Sequence, residues 1–207
     1  MTQVLQLHSS LFSGQGQSTQ LSEQFVAALK AQDPDTRVVV RDLVADAIPH
    51  LDAERVQALM SAPEQRTPAQ QAVLDLSDAL ISELKAADVI VLGLPMYNFG
   101  VPSQLKSYFD HVARAKVTFR YTEQGPEGLL KNKKAYVFAT RGGRFVGTPA
   151  DSQTNYVRDF LRFIGIEDVQ FVYAEGLSMG DVPRAAGIAD AARAIAELTQ
   201  NGVARAA

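Results

Sequence analysis

Six consecutive apolar residues, Val89-Ile90-Val91-Leu92-Gly93-Leu94, are stopped by Pro95. A strand with one face in water alternates apolar and polar positions. A run with no alternation is a strand covered on both faces, as in a parallel sheet between layers of helices. The segment before it fits that picture. Thr67-Pro68-Ala69-Gln70 is a capping box with proline at the first helical position. Val73, Leu76, Leu80, Ile81 and Leu84 then follow at helical spacing as far as Ala87.

The same alternation of strand and helix runs along the chain. Val4–Leu7, Val38–Val40, Ala135–Ala139 and Val169–Tyr173 read as further short strands. Helical spacing predicts helices from Ser18 to Ala31, Ala53 to Met60, Ser103 to Ala115 and Asp181 onward. Another carries Tyr156, Val157, Phe160, Leu161 and Ile164, with Gly165 as its C-cap. Val117–Tyr121, with Gly125 and Gly128, reads as an irregular excursion or a hairpin. Five strands alternating with helices predict an α/β fold, a doubly wound parallel sheet with helices on both faces. With no repeat and no linker, residues 1–207 are expected to form a single domain.

Composition narrows the chemistry. The absence of cysteine excludes disulfides, thiolate metal sites, iron–sulfur clusters and a cysteine nucleophile. His8, His50 and His111 are not at metal-binding spacing, so no metal is expected. A net charge of −3 offers no electrostatic footprint for nucleic acid. The N-terminus lacks a basic region before its short apolar run, and no stretch approaches the roughly 20 apolar residues of a membrane span. A cytoplasmic protein that binds neither nucleic acid nor membrane is expected.

In open parallel sheets, ligands sit outside the carboxyl ends of the strands. The loop after the first strand, Ser9–Thr19, is rich in hydroxyls and glycine and contains no Lys or Arg. It feeds a helix whose first N–H groups are free to bind a phosphate; a plain N-cap by Ser18 is the other reading. No glycine here is followed by Lys and Ser/Thr, which excludes a P-loop. Gly14-Gln15-Gly16-Gln17-Ser18-Thr19 puts threonine at the third glycine of the dinucleotide fingerprint. After the third strand, Met96, Tyr97 and Phe99 surround Asn98, whose amide suits the N–C=O edge of a flat heterocycle. Thr140-Arg141-Gly142-Gly143 follows the fourth strand; its glycines expose backbone donors or make a tight turn. The three loops together suit a mononucleotide with a flat ring. His8 reads as structural.

At these residues the chain resembles the FMN-dependent NADH-azoreductases, flavodoxin-like NAD(P)H:quinone reductases. Pro95-Met96-Tyr97-Asn98-Phe99, Thr118-Phe119-Arg120-Tyr121-Thr122-Glu123 and Ala174-Glu175-Gly176 carry the resemblance. It implies a flavodoxin-like sheet in the order 2-1-3-4-5. It also implies a homodimer with one FMN per subunit, roofed by the partner, with NADH or NADPH as donor and quinones or azo dyes as acceptors. The family's FMN positions fall on Ser10, Gly16, Gln17, Ser18, Met96, Tyr97, Asn98, Phe99, Thr140, Arg141, Gly142 and Gly143. Phe99, Tyr121 and Phe163 would line the substrate side. The resemblance assigns no essential acid or base, because the flavin carries the chemistry. Gly16 stands where the family often has serine, and Arg144-Phe145 where many members have an apolar residue and histidine. A non-enzymatic, flavodoxin-type electron carrier is the alternative.

Overall fold

The computed structural model describes residues 1–200; the last seven residues of the expected domain lie outside them. In chain order the elements are β1 (Gln3–His8), α1 (Gln17–Gln32), β2 (Arg37–Asp42), α2 (Ala53–Met60), α3 (Pro68–Ala86), β3 (Val89–Pro95), α4 (Ser103–Val112), β4 (Phe119–Thr122), β5 (Gly125–Gly128), β6 (Lys134–Thr140), α5 (Ser152–Ile164), β7 (Asp168–Ala174) and α6 (Asp181–Gln200). Five strands form a parallel sheet in the order β2-β1-β3-β6-β7. Renumbered, this is the expected 2-1-3-4-5 arrangement. The excursion is an antiparallel hairpin, β4–β5, separate from that sheet.

Every residue of central β3 is buried, as its unbroken apolar run requires. Its side chains alternate between two cores. Ile90, Leu92 and Leu94 join Leu5 and Leu7 on the face covered by α3, α4 and α5, while Val89 and Val91 join Val4 on the face covered by α1 and α6. At about 25 cal/mol per Å² of buried apolar surface, this two-sided burial is the main stabilising contribution. Gln6 is a buried polar residue within β1, and it donates from Nε2 to the Ser22 hydroxyl at 3.1 Å.

Local chemistry sets the element ends. Thr67 and Gln70 form the capping box of α3 reciprocally. Gly165 closes α5 at φ +108°, in the left-handed region. The helix expected to reach Ala115 stops at Val112. There the Thr118 hydroxyl donates to the Val112 carbonyl at 2.6 Å and accepts the Arg114 N–H at 3.0 Å, replacing the next helical turn. α5 begins earlier than its apolar stripe, because Asp151 caps it by accepting the Thr154 N–H at 3.1 Å.

Candidate active site

The first loop is pinned to the sheet before it turns. Ser9 donates from its hydroxyl to the Gly93 carbonyl at 2.7 Å. Ser10 is buried, and its Oγ accepts the Phe12 N–H at 3.2 Å. The Ser13 N–H donates to the Ser10 carbonyl at 3.0 Å, starting the single 3₁₀ turn Ser13–Gln15. α1 then starts on Gly16, with no side chain capping it. The Gln20 N–H reaches the Gly16 carbonyl at 3.0 Å; the N–H groups of Gln17, Ser18 and Thr19 precede any helical acceptor. Ser18 Oγ is buried without a hydrogen-bond partner among the described residues. Free N–H groups, an orphaned hydroxyl and the helix dipole all favour an anion here.

The second loop is built on the first. The Leu11 N–H donates to the Tyr97 hydroxyl oxygen at 3.2 Å, and Ser10 Oγ lies 3.4 Å from that oxygen. Tyr97 and Gly100 exchange backbone bonds at 3.2 and 2.9 Å around Asn98 (φ +49°) and Phe99 (φ +63°). Two successive positive φ values match the tight primed turn that favours Asn and Gly. Asn98 fits that conformation. A bulky residue such as Phe99 does so at a cost of about 1–3 kcal/mol, strain that proteins hold mainly at functional sites. α5 clamps the turn: Gln153 donates from Nε2 to the Pro95 and Gly100 carbonyls, both at 2.9 Å, and the Ser152 hydroxyl donates to the Phe99 carbonyl. Asn98 and Phe99 are left exposed.

The third loop follows β6. The Arg141 guanidinium is buried and donates to Asp151 at 2.8 Å, Thr154 at 3.0 Å and Glu175 at 3.2 Å. It also lies 5.1 Å from the Tyr173 ring centroid. A buried cation needs such partners. Burial pushes the Asp151 carboxyl up, but hydrogen bonds from Arg141 and Thr154 outweigh it and hold the group below the usual carboxylate range. Glu175 also accepts the Phe145 and Val146 N–H groups at 2.8 and 3.0 Å. The loop is thereby fixed from beneath.

A crevice of about 200 Å³ opens at the carboxyl ends of β1, β3 and β6. It gathers Ser10, Gly16, Gln17, Met96, Tyr97, Thr140, Arg141 and Gly142 of the expected set. Ser18, Asn98, Phe99 and Gly143 stand outside its lining. Leu177, Ser178 and Arg184 line it too, although sequence reasoning did not single them out. Their signal was positional: β7 pairs Ala174 with Thr140, so the loop after β7 opens at the same edge. A roomier groove of about 590 Å³ beside the β4–β5 hairpin contains none of the expected site residues.

The expected substrate wall is not assembled within one chain. Phe99 packs edge-on against Phe145, with ring centroids 5.6 Å apart. Tyr121 and Phe163 instead meet across Phe119, at 5.5 and 4.3 Å. Phe99 is held at the start of α5 by Ser152, whereas Phe163 lies near its end. At 1.5 Å per residue those ends are about 16 Å apart.

The chain matches the family model for the flavodoxin-like fold over residues 2–199. It is 55% identical over 185 residues to the FMN-dependent NADH:quinone oxidoreductase of Cellvibrio japonicus, covering 89% of this chain and 93% of that one. It belongs to this flavodoxin-like family. The FMN-dependent NADH:quinone oxidoreductase 6 of Burkholderia lata is also 55% identical, over 95% of this chain and 99% of its own. An FMN-dependent NADH-azoreductase from Bacillus anthracis, solved in complex with FMN, superposes with a TM-score of 0.87 at 26% identity, covering 97% of this chain and 99% of that one. A second azoreductase structure from that organism gives 0.89 at 27% identity, with 97% and 100% covered.

Proposed function

We propose that this chain is an FMN-dependent oxidoreductase that uses NADH to reduce quinones and azo compounds, as a homodimer in the cytoplasm. The observation that carries this reading is the crevice at the strand ends, which brings the uncapped start of α1 together with Tyr97 and Thr140. The names of the relatives supply FMN, NADH, quinone reduction and azo reduction.

The residues present fit FMN. Ser10, Gly16, Gln17 and Ser18 would hold its phosphate with hydroxyls and backbone N–H groups. Met96, Tyr97, Asn98 and Phe99 would flank the ring on one side, and Thr140, Arg141, Gly142 and Gly143 on the other. FMN, when bound, supplies hydride transfer from NADH to an acceptor. The side chains then have to bind, orient and exclude water. Arg141 acts through the loop it holds, since its guanidinium is committed to Asp151 and Glu175. His8 is not asked to move a proton. Burial lowers its pKa against the opposing pull of Glu23 and Asp42.

Two features support the dimer. Phe12, Phe99 and Tyr121 are exposed by 67%, 61% and 75%, rings that a second copy would cover. Phe99 and Tyr121/Phe163 would share one wall if each half came from a different copy. With one such place for flat molecules, NADH and acceptor bind in turn, which is ping-pong behaviour. Full cleavage of an azo bond consumes two NADH and two protons and yields two amines. Among the described residues no helix is long and apolar enough to cross a membrane. Anaerobic NADH oxidation on adding a quinone to the purified yellow protein tests the reading; a colourless, inert protein overturns it.

A further inference from the structure

Arg184 stands in the first turn of α6 and lines the same crevice as Ser10, Gly16 and Gln17. Its hydrogen bond runs from Nη1 to the Leu177 carbonyl at 3.3 Å. Among the described residues it forms no ion pair with a carboxylate. The other cation of the lining, Arg141, is ion-paired with Asp151 and Glu175. Arg184 is thus the uncommitted positive charge of the crevice.

The segment leading to it is firmly placed. Leu177 and Ser178 donate their N–H groups to the Arg141 and Gly142 carbonyls at 3.1 and 3.0 Å, and Gly176 donates to Gly143 at 2.9 Å. The carbonyl that orients Arg184 therefore belongs to a strip bonded to the third loop. Across the crevice, the loop Ser9–Thr19 contains no Lys or Arg. It meets an anion only with neutral donors and a helix dipole. A phosphate monoester carries close to two negative charges at neutral pH. A guanidinium fork is suited to bind it through two parallel hydrogen bonds.

From this we infer that Arg184 is a further cofactor-binding residue, which supplies from α6 the charge that the phosphate loop lacks. The inference rests on the FMN reading above. It assigns Arg184 to the phosphate of the mononucleotide and not to its ring.

The test titrates the full-length chain and its Arg184→Gln and Arg184→Lys variants with FMN and with riboflavin, which lacks the phosphate. Binding is followed by quenching of flavin fluorescence at low and high salt. Arg184→Gln is expected to weaken FMN about tenfold, as for a partly exposed charge-assisted contact. Riboflavin affinity should not change, Arg184→Lys should fall between, and the difference should shrink in high salt. Equal losses for both ligands would assign Arg184 a merely structural role and overturn the inference. Unchanged FMN affinity would overturn it too, and a selectively raised KM for NADPH over NADH would move the residue to the donor's phosphate. If the unaltered chain binds neither flavin, the FMN reading itself fails, and this inference with it.

Discussion

A Cβ added to Gly16 would stand 2.1 Å from the Oγ of Ser10 and 2.5 Å from its Cβ. The backbone of Gly16, at φ −69° and ψ 133°, suits any residue, so the glycine is required by closeness and not by conformation. Gly16 brings the start of α1 down onto the buried serine, and both residues line the crevice.

Gly16→Ser restores the family's frequent residue but overpacks this contact. It should destabilise the protein by about 1–3 kcal/mol and weaken FMN binding, although it adds a hydroxyl. Gly16→Ala combined with Ser10→Gly should be less destabilised than the sum of the two single changes. Denaturant melts of the four proteins check this; strict additivity would mean that the two residues do not press on each other.

At Asn98 the turn and the ring can be separated. Asn98→Gly keeps the positive φ but removes the amide, so stability should hold while FMN binding weakens by about 1–3 kcal/mol. Asn98→Ala should lose the same affinity and also destabilise the chain by about 1 kcal/mol. Full affinity in Asn98→Gly would leave the residue as a turn former alone.

The Arg141 cluster makes a prediction about acid. The folded pKa of Asp151 lies below its ordinary value of 3.8. Its stabilising contribution is therefore complete above that value and is lost as pH falls through the lower folded one. Asp151→Asn should be less stable at neutral pH, with the difference closing on the acid limb. Arg141→Met leaves the partly buried Asp151 and Glu175 carboxylates without their cation and should cost about 1–3 kcal/mol. Stability curves from pH 7 to pH 3 measure both, and a constant gap for Asp151→Asn across that range would remove the electrostatic part of the argument.

The divided aromatic wall predicts complementation. Phe99→Ala and Phe163→Ala should each lower turnover strongly. Dissociated and reassembled together, they should recover about a quarter of the wild-type sites, because half the dimers are mixed and each mixed dimer has one intact wall. No recovery on mixing would mean that one chain builds its own wall.

Much of this was legible in the sequence. The unbroken run of β3, the capping box of α3 and the glycine cap of α5 predict elements that the structure contains, because each depends on local chemistry. The crevice follows from the same logic, since parallel strands open their loops at one edge. Three things depended on distant contacts and could not be read. α4 ends early because Thr118 folds back onto Val112. The Arg141 side chain turns to Asp151 and Glu175, from separate loops. Arg184 reaches the crevice only because β7 lies beside β6. A linear reading also grouped Phe99 with Tyr121 and Phe163, which the length of α5 holds apart.

The most direct test of the central claim is the initial rate of NADH oxidation by the FMN-loaded protein, measured under anaerobic conditions across a range of NADH at several fixed quinone concentrations. Quinone-dependent turnover is predicted, with parallel double-reciprocal lines, because donor and acceptor take turns in one place. NADH oxidation that does not respond to quinone would contradict the assigned activity. Intersecting lines would contradict the shared place.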